Sequence, residues 1–244
     1  GGRCAVMMVG GVVREYIDSV SPSLVARFLP TVPSRCAVCH AWPSEPVCEA
    51  CVSRFGQPVP RCRTCALPVH GGVSQCGDCQ LSAPPLDACV AAVSYDYPWA
   101  TLISQFKFHH QPGWARGLAR LMRSAPWVEP ALEQTDLVIP MPLAAARLRE
   151  RGFNQALELA RQLAPARKID PRLLLRVKET TPQLALSRPE RLKNLRDAFA
   201  AEPLRASRLR DARVVLLDDV MTSGASLHAA ALALRAAGVR HITG

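Results

Sequence analysis

The sequence predicts an α/β protein, a parallel sheet with helices on both faces, preceded by a small zinc-ribbon domain. Three observations predict it. Four CxxC pairs crowd into residues 36–79, and short apolar strands alternate with helical patterns from residue 136 onward. One of those strands runs into a turn made of two acids, hydroxyls and a glycine. The 244 residues are 49% apolar and 20% charged, a globular balance that excludes a disordered chain. Mean hydropathy is +0.06, and no run reaches the roughly 18 to 20 apolar residues of a membrane span.

Residues 1–33 read as an N-terminal extension with a short helix. Ala5–Val13 is apolar and follows Arg3, but the small-residue cleavage pattern of a signal peptide is missing. Ile17, Val20, Leu24, Val25 and Phe28 keep helical spacing until Pro30 and Pro33.

Residues 34–86 are rich in Cys, Pro and Gly and poor in periodic apolar positions, so metal must supply their folding energy. The pairs are Cys36/Cys39, Cys48/Cys51, Cys62/Cys65 and Cys76/Cys79, with gaps of eight, ten and ten residues between them. A CxxC turn aims two thiolates at one cation, and two such turns complete a tetrahedral Cys4 zinc site. A disulfide across so short a gap is strained, and a redox motif has no need of four copies. Two structural zinc ions are therefore expected. Pairing in chain order closes the shortest loops, although the near-equal gaps leave an interleaved arrangement open. Eight thiolates also point to a reducing, cytoplasmic compartment. Cys4 and Cys89 have no CxxC partner and read as ordinary thiols.

Residues 87–244 form the larger domain. Residues 86–97 look like a strand, and two helices follow, carried by Leu102, Ile103 and Phe106 and then by Trp114, Leu118, Leu121 and Met122, with a break at Pro112–Gly113. Lys107 lies between two Phe residues, where a snorkelling stem and a site cation are both open readings. Leu137–Pro140 is a short buried strand, 143–164 a helix, 172–177 a strand, and 178–195 a polar, basic excursion. Val214–Leu217 is a continuous apolar strand, 225–237 an Ala/Leu helix closed by Gly238, and a last strand starts at Val239.

Charge is unevenly spread. The chain carries 30 Lys plus Arg against 20 Asp plus Glu, net +10, while residues 147–213 hold 14 Arg and three Lys against eight acids, net +9. That focus suits a polyanion, either nucleic acid or a phosphorylated small molecule, as well as a plain solvated surface.

The sharpest feature is Val214–Ser226. A buried strand ends in Asp218 and Asp219, followed by a hydroxyl- and Gly-rich turn that opens a helix. Ligands of open α/β sheets bind at the carboxyl ends of strands. Backbone N–H groups of Thr222, Ser223, Gly224, Ala225 and Ser226 can cradle a phosphate there, and Gly224 permits close approach. The two acids would accept hydrogen bonds from vicinal ribose hydroxyls or reach them through a metal. It is no Walker A loop, because GK[ST] is missing.

This string resembles the phosphoribosyl pyrophosphate (PRPP) signature of type I phosphoribosyltransferases. Residues 30–244 are similar to the ComF family, which joins a double zinc ribbon to such a domain. The resemblance is carried by the four CxxC pairs, Tyr95 and Tyr97 ahead of Leu102–Phe108, Pro140–Leu143, Arg149–Gln155, and Gln183, Arg191, Asn194 and Phe199. Met221 and Ser223 depart mildly from the family's usual Val or Ile and Thr, and the family pattern would carry the final strand past Gly244.

The resemblance implies a type I phosphoribosyltransferase-like sheet with Asp218 and Asp219 as the catalytic, ribose-binding acids and Thr222–Ser226 as the 5′-phosphate loop. It makes Pro140, Met141, Pro142 and Leu143 the pyrophosphate loop and 178–195 a closing loop whose Lys178, Arg188 and Arg191 neutralise pyrophosphate. Arg151 is the functional candidate among Arg147, Arg149 and Arg151. Magnesium accompanies PRPP in this picture. The implied function is phosphoribosyl transfer or recognition linked to DNA uptake or nucleotide metabolism. Its rivals are a non-catalytic, single-stranded-DNA-handling competence protein and a zinc-stabilised scaffold for an uptake helicase.

Overall fold

The structure is a computed structural model that describes residues 34–178, 195 and 197–244. The helix expected over 17–28 and the excursion at 179–194 lie outside the described residues. The described chain falls into two units, residues 34–46 and residues 47–244.

In the first unit, Ser34 and Ser44 form an antiparallel bridge through N–H···O bonds of 2.7 and 2.8 Å. Between them Cys36 and Cys39 sit on a tight turn that ends at His40, whose φ of 62° lets its N–H reach the Cys36 carbonyl at 2.9 Å.

The second unit opens with helix α1 (Glu49–Phe55), which Cys48 immediately precedes. Arg61 and Pro68 then bridge in antiparallel fashion around Cys62 and Cys65, and helix α2 (Gly77–Leu81) starts at Cys76. Helices α3 (Trp99–Phe108) and α4 (Trp114–Ser124) flank the break at Pro112–Gly113, as the spacing predicts. Helix α5 (Val128–Gln134) has too weak a period to be read from the sequence.

Strands β1 (Leu137–Pro140), β4 (Arg213–Leu217) and β5 (His241–Thr243) form a parallel three-stranded sheet in the order β1-β4-β5. Single parallel bridges extend it at both edges, Val138 to Ile169 and Ala88 to Thr243. The strand expected over 86–97 is thus reduced to the stretch hydrogen-bonded beside β5, from Asp87 to Val90. Strands β2 (Leu174–Arg176) and β3 (Phe199–Ala201) pair antiparallel in a second small sheet.

Strand alternation divides the side chains of β4. Val214 and Leu216 join the main core with Ile242 and with Ala230, Ala231 and Leu234 of helix α8 (Ala225–Ala236). Val215 and Leu217 face Leu118, Leu121 and Leu159 on the other helices. Ile139, Leu216, Leu234 and Ile242 are fully buried, each worth roughly 1.5–3 kcal/mol of transfer free energy.

The helix expected over 143–164 is two helices, α6 (Ala145–Arg151) and α7 (Gln155–Leu163). Gly152 takes φ 76° and ends the first, while the Asn154 side chain accepts from Leu157 N–H at 3.2 Å and starts the second. The break lies inside the RGFNQ string and shapes the site described next.

Candidate ligand site and metal centre

The CxxC turns share one local design. Ala66 (φ 56°) follows Cys65 as His40 follows Cys39, and its N–H reaches the Cys62 carbonyl at 2.8 Å. The alternate pairs start helices: Cys48 stands at the N-terminal boundary of α1 with Cys51 in its first turn, and Cys76 and Cys79 take the same places in α2. In the second unit the sulfurs of Cys62, Cys65, Cys76 and Cys79 all lie within 4.8 Å of one another, the third pair meeting the fourth. Cys65 and Cys76 Sγ are 3.7 Å apart. Burial opposes charge on Cys62, but backbone N–H groups of Cys76, Cys65 and Thr64 bring its thiol down to about 6. Burial pushes Cys65 up to about 11 and raises Cys79 further. Four sulfur donors at this spacing, one already favoured as thiolate, suit a tetrahedral zinc ion. Among the described residues, none of the nine cysteines forms a disulfide.

The second site lies at the carboxyl ends of β1 and β4. Parallel register sets Pro140 beside Leu217, and Met141 N–H donates to the Leu217 carbonyl at 2.8 Å. The Pro140–Leu143 segment is therefore fixed next to Asp218 and Asp219. Asn154 ties this loop down as well, because its Nδ2 donates to the Met141 carbonyl at 3.0 Å while its Oδ1 caps α7. Beyond the acids, Gly224 takes φ 72° at the start of α8, and its carbonyl accepts the first helical bond from His228 N–H at 2.8 Å. Thr222 is exposed, Ser223, Gly224 and Ser226 are half-buried, and Ala225 is buried. Together with Met221 and His228, Ser223 and Gly224 line a small cleft against Cys65 and Leu67 of the metal centre.

The acids are not equivalent. Asp218 Oδ1 accepts the N–H of Asp219 at 2.9 Å. Burial and the neighbouring Asp219 push the Asp218 carboxyl up to about 8, against the pull of Lys107. Asp219 Oδ1 pairs with Lys107 Nζ at 3.0 Å, both side chains largely buried, whereas its Oδ2 is buried with no hydrogen-bond partner. Magnesium does not fit this pair as it stands, because Asp219 already holds an ammonium and burial disfavours a charged Asp218 carboxyl. Lys107 thus pairs with the acids and does not snorkel to solvent. The sequence could not settle this, because α3 reaches the acids only through the fold.

Arg151 departs from the solvated face that Arg147 and Arg149 occupy. It is buried, its guanidinium lies 5.1 Å from the centre of the Phe108 ring, and its Nη1 donates to Gln155 Oε1 at 3.0 Å. Arg151 Nε and Gln155 Nε2 are buried without hydrogen-bond partners. Lys178 is exposed two residues past β2. Arg188 and Arg191 lie outside the described residues. An apolar cavity of about 270 Å³ extends inward from the acids, lined by Val215, Leu217, Leu118, Leu159 and Tyr95.

Fold and site define an α/β protein with a parallel sheet, a Gly-opened helix start past a strand-end acid pair and a Cys4 cluster ahead of it. No protein-family model matches the chain. It is 35% identical over 205 residues to competence protein F of Haemophilus influenzae, covering 80% of this chain and 87% of that protein. It is 31% identical to the DNA utilization protein YhgH of Salmonella typhimurium, with 81% and 88% covered, and 30% identical to YhgH of Escherichia coli K12 over 211 residues. The chain belongs to the ComF family. Among the described residues, no helix is long and apolar enough to cross a membrane.

Proposed function

We propose that this protein binds PRPP or a related phosphorylated ribose and transfers or recognises the phosphoribosyl group in the service of DNA uptake. The observation that carries the reading is the joint at the sheet edge. A strand-end acid pair, a Gly-opened helix N-terminus and a second strand-end loop stand side by side in parallel register. In this reading Asp219 Oδ2 and Asp218 hold the ribose hydroxyls, and Thr222–Ser226 take the 5′-phosphate through backbone N–H groups and hydroxyls. Pro140–Leu143 border the pyrophosphate, whose charge Lys178, Arg191 and Arg151 balance. Catalysis then needs no side-chain nucleophile, since positioning and electrostatics favour departure of pyrophosphate from the ribose C1 carbon. Any magnesium belongs to the ligand's pyrophosphate and not to the acids.

In the same reading the zinc-ribbon region at 34–86 holds two zinc ions, one of them on Cys62, Cys65, Cys76 and Cys79. Thiolate sites of this number belong in the reducing cytoplasm. Calorimetric titration with PRPP, followed by pyrophosphate-release assays over candidate acceptors, tests the reading. Absence of PRPP binding by zinc-loaded protein defeats it.

The relatives' names, which speak of competence and DNA utilization, support a second reading. In it the same domain handles single-stranded DNA without turnover, and its partner is an uptake helicase. The net +9 over residues 147–213 supports it. Each cation on a phosphate adds a salt slope of about −0.7 for single strands. Neutralising Lys178, Arg188, Arg191, Lys193 and Arg196 should flatten that slope. A DNA affinity that ignores both salt and this change ends the nucleic-acid reading.

A further inference from the structure

Paired carboxylates at a ligand site are usually read as a seat for a divalent cation. Here a cation of the chain's own already stands there. Lys107 leaves the last turn of α3, and its ammonium lies 3.0 Å from Asp219 Oδ1 with only 16% of its side chain exposed, against 10% for Asp219. The residues on either side anchor that position. The preceding residue, Phe106, is fully buried, and its ring packs against Phe153 at 5.5 Å. The following residue, Phe108, lies under the Arg151 guanidinium. One oxygen of Asp219 remains unpartnered and buried, and Asp218 turns one oxygen to the backbone N–H beside it.

We propose that Lys107 is the resident counter-ion of the acid pair, so that the pair takes sugar hydroxyls directly and excludes divalent cations in the absence of ligand. The physics is a matter of charge and donors. A divalent ion at Asp219 would sit within a few ångströms of a half-desolvated ammonium, where like charges repel strongly and screening is weak. A neutral hydroxyl meets no such penalty and supplies the donor that Asp219 Oδ2 lacks. Burial pressure on Asp218 acts the same way, since a protonated carboxyl is a poor metal ligand and a good partner for a hydroxyl. Lys107 is thus a positioning residue that sets what the acids accept. The sugar half of the inference rests on the phosphoribosyl reading, and the exclusion of metal does not.

The test uses the full-length, zinc-loaded protein and the variants Lys107→Met, Lys107→Gln and Lys107→Arg. Manganese alone is titrated and followed by the electron paramagnetic resonance of the free ion. Ribose 5-phosphate is titrated calorimetrically without added divalent metal. Wild type and Lys107→Arg should bind manganese no better than an Asp218→Asn, Asp219→Asn control. Lys107→Met should gain at least about tenfold in manganese affinity, a gain that vanishes when both acids are also changed. Lys107→Gln carries the same expectation and replaces Lys107→Met should the latter not fold. Ribose 5-phosphate should bind wild type without metal and weaken about tenfold in Lys107→Met. Wild type that binds manganese as tightly as the neutral variants overturns the proposal, and so does ribose 5-phosphate binding that requires added metal. Failure of ribose 5-phosphate to bind under any condition defeats the phosphoribosyl reading instead, and the manganese series then decides the counter-ion claim alone.

Discussion

At Asp218 the fold sets a carboxyl against its own chemistry. Its pKa rises from the usual 3.8 to about 8, through burial first and Asp219 second. An acid whose folded pKa exceeds its unfolded one makes the native state bind the extra proton between the two values. Its contribution to stability is therefore lost as pH climbs through that window. Asp218→Asn should thus stabilise the protein increasingly from about pH 4 to pH 8, with a slope of at most about 1.4 kcal/mol per pH unit. Thermal unfolding at several pH values measures it, and a difference independent of pH contradicts the buried, proton-holding Asp218. The acids themselves were readable from the sequence, since an apolar run ending in two carboxylates before a Ser-Gly turn is a local signal. Their partner was not. Lys107 meets Asp219 only because α3 packs back over the sheet edge, and no spacing rule links residues so far apart in the chain.

At the level of elements, the RGFNQ string matters for where it breaks a helix. A single helix over 143–164 is what the apolar pattern suggests, yet its inward residues Leu157, Leu159, Ala160 and Leu163 all lie past the break, within α7. Gly152 and Asn154 were punctuation that the apolar pattern outvoted. Asn154 carries two duties, the cap of α7 and the tether on the Met141 carbonyl. Asn154→Ala should cost about 0.5–2 kcal/mol in urea unfolding through the lost cap. It should also weaken PRPP binding by loosening the Pro140–Leu143 loop. Asn154→Asp keeps the cap oxygen but loses the donor, so it should recover stability and not affinity. Equal recovery of both would show that the tether to Met141 does not matter. Gly152→Ala, forced to φ 76°, should destabilise by about 1 kcal/mol through backbone strain alone. An unchanged urea midpoint in that variant would count against the helix break.

For the whole molecule, composition and Cys spacing made the fold class legible, a Cys4-bearing segment ahead of a parallel α/β sheet, because both signals are local and repeated. The narrow sheet, the second small β2–β3 sheet and the contact of Cys65 and Leu67 with the Ser223–Gly224 cleft depend on packing that the sequence does not spell out. Metal analysis of reduced, freshly purified protein should find close to two zinc ions per chain, released by acid or chelator with a fall in the unfolding temperature. Zinc-free protein of unchanged stability would contradict the role assigned to the thiols. The central claim, that the edge of the sheet is a phosphoribosyl site, is tested most directly by PRPP calorimetry on wild type and on the folded Asp218→Asn, Asp219→Asn variant. Loss of charge-assisted bonds worth roughly 1.5–3 kcal/mol each predicts saturable binding to wild type and at least a tenfold weaker affinity in the variant. Equal affinity in the two proteins, or no binding to either, contradicts it.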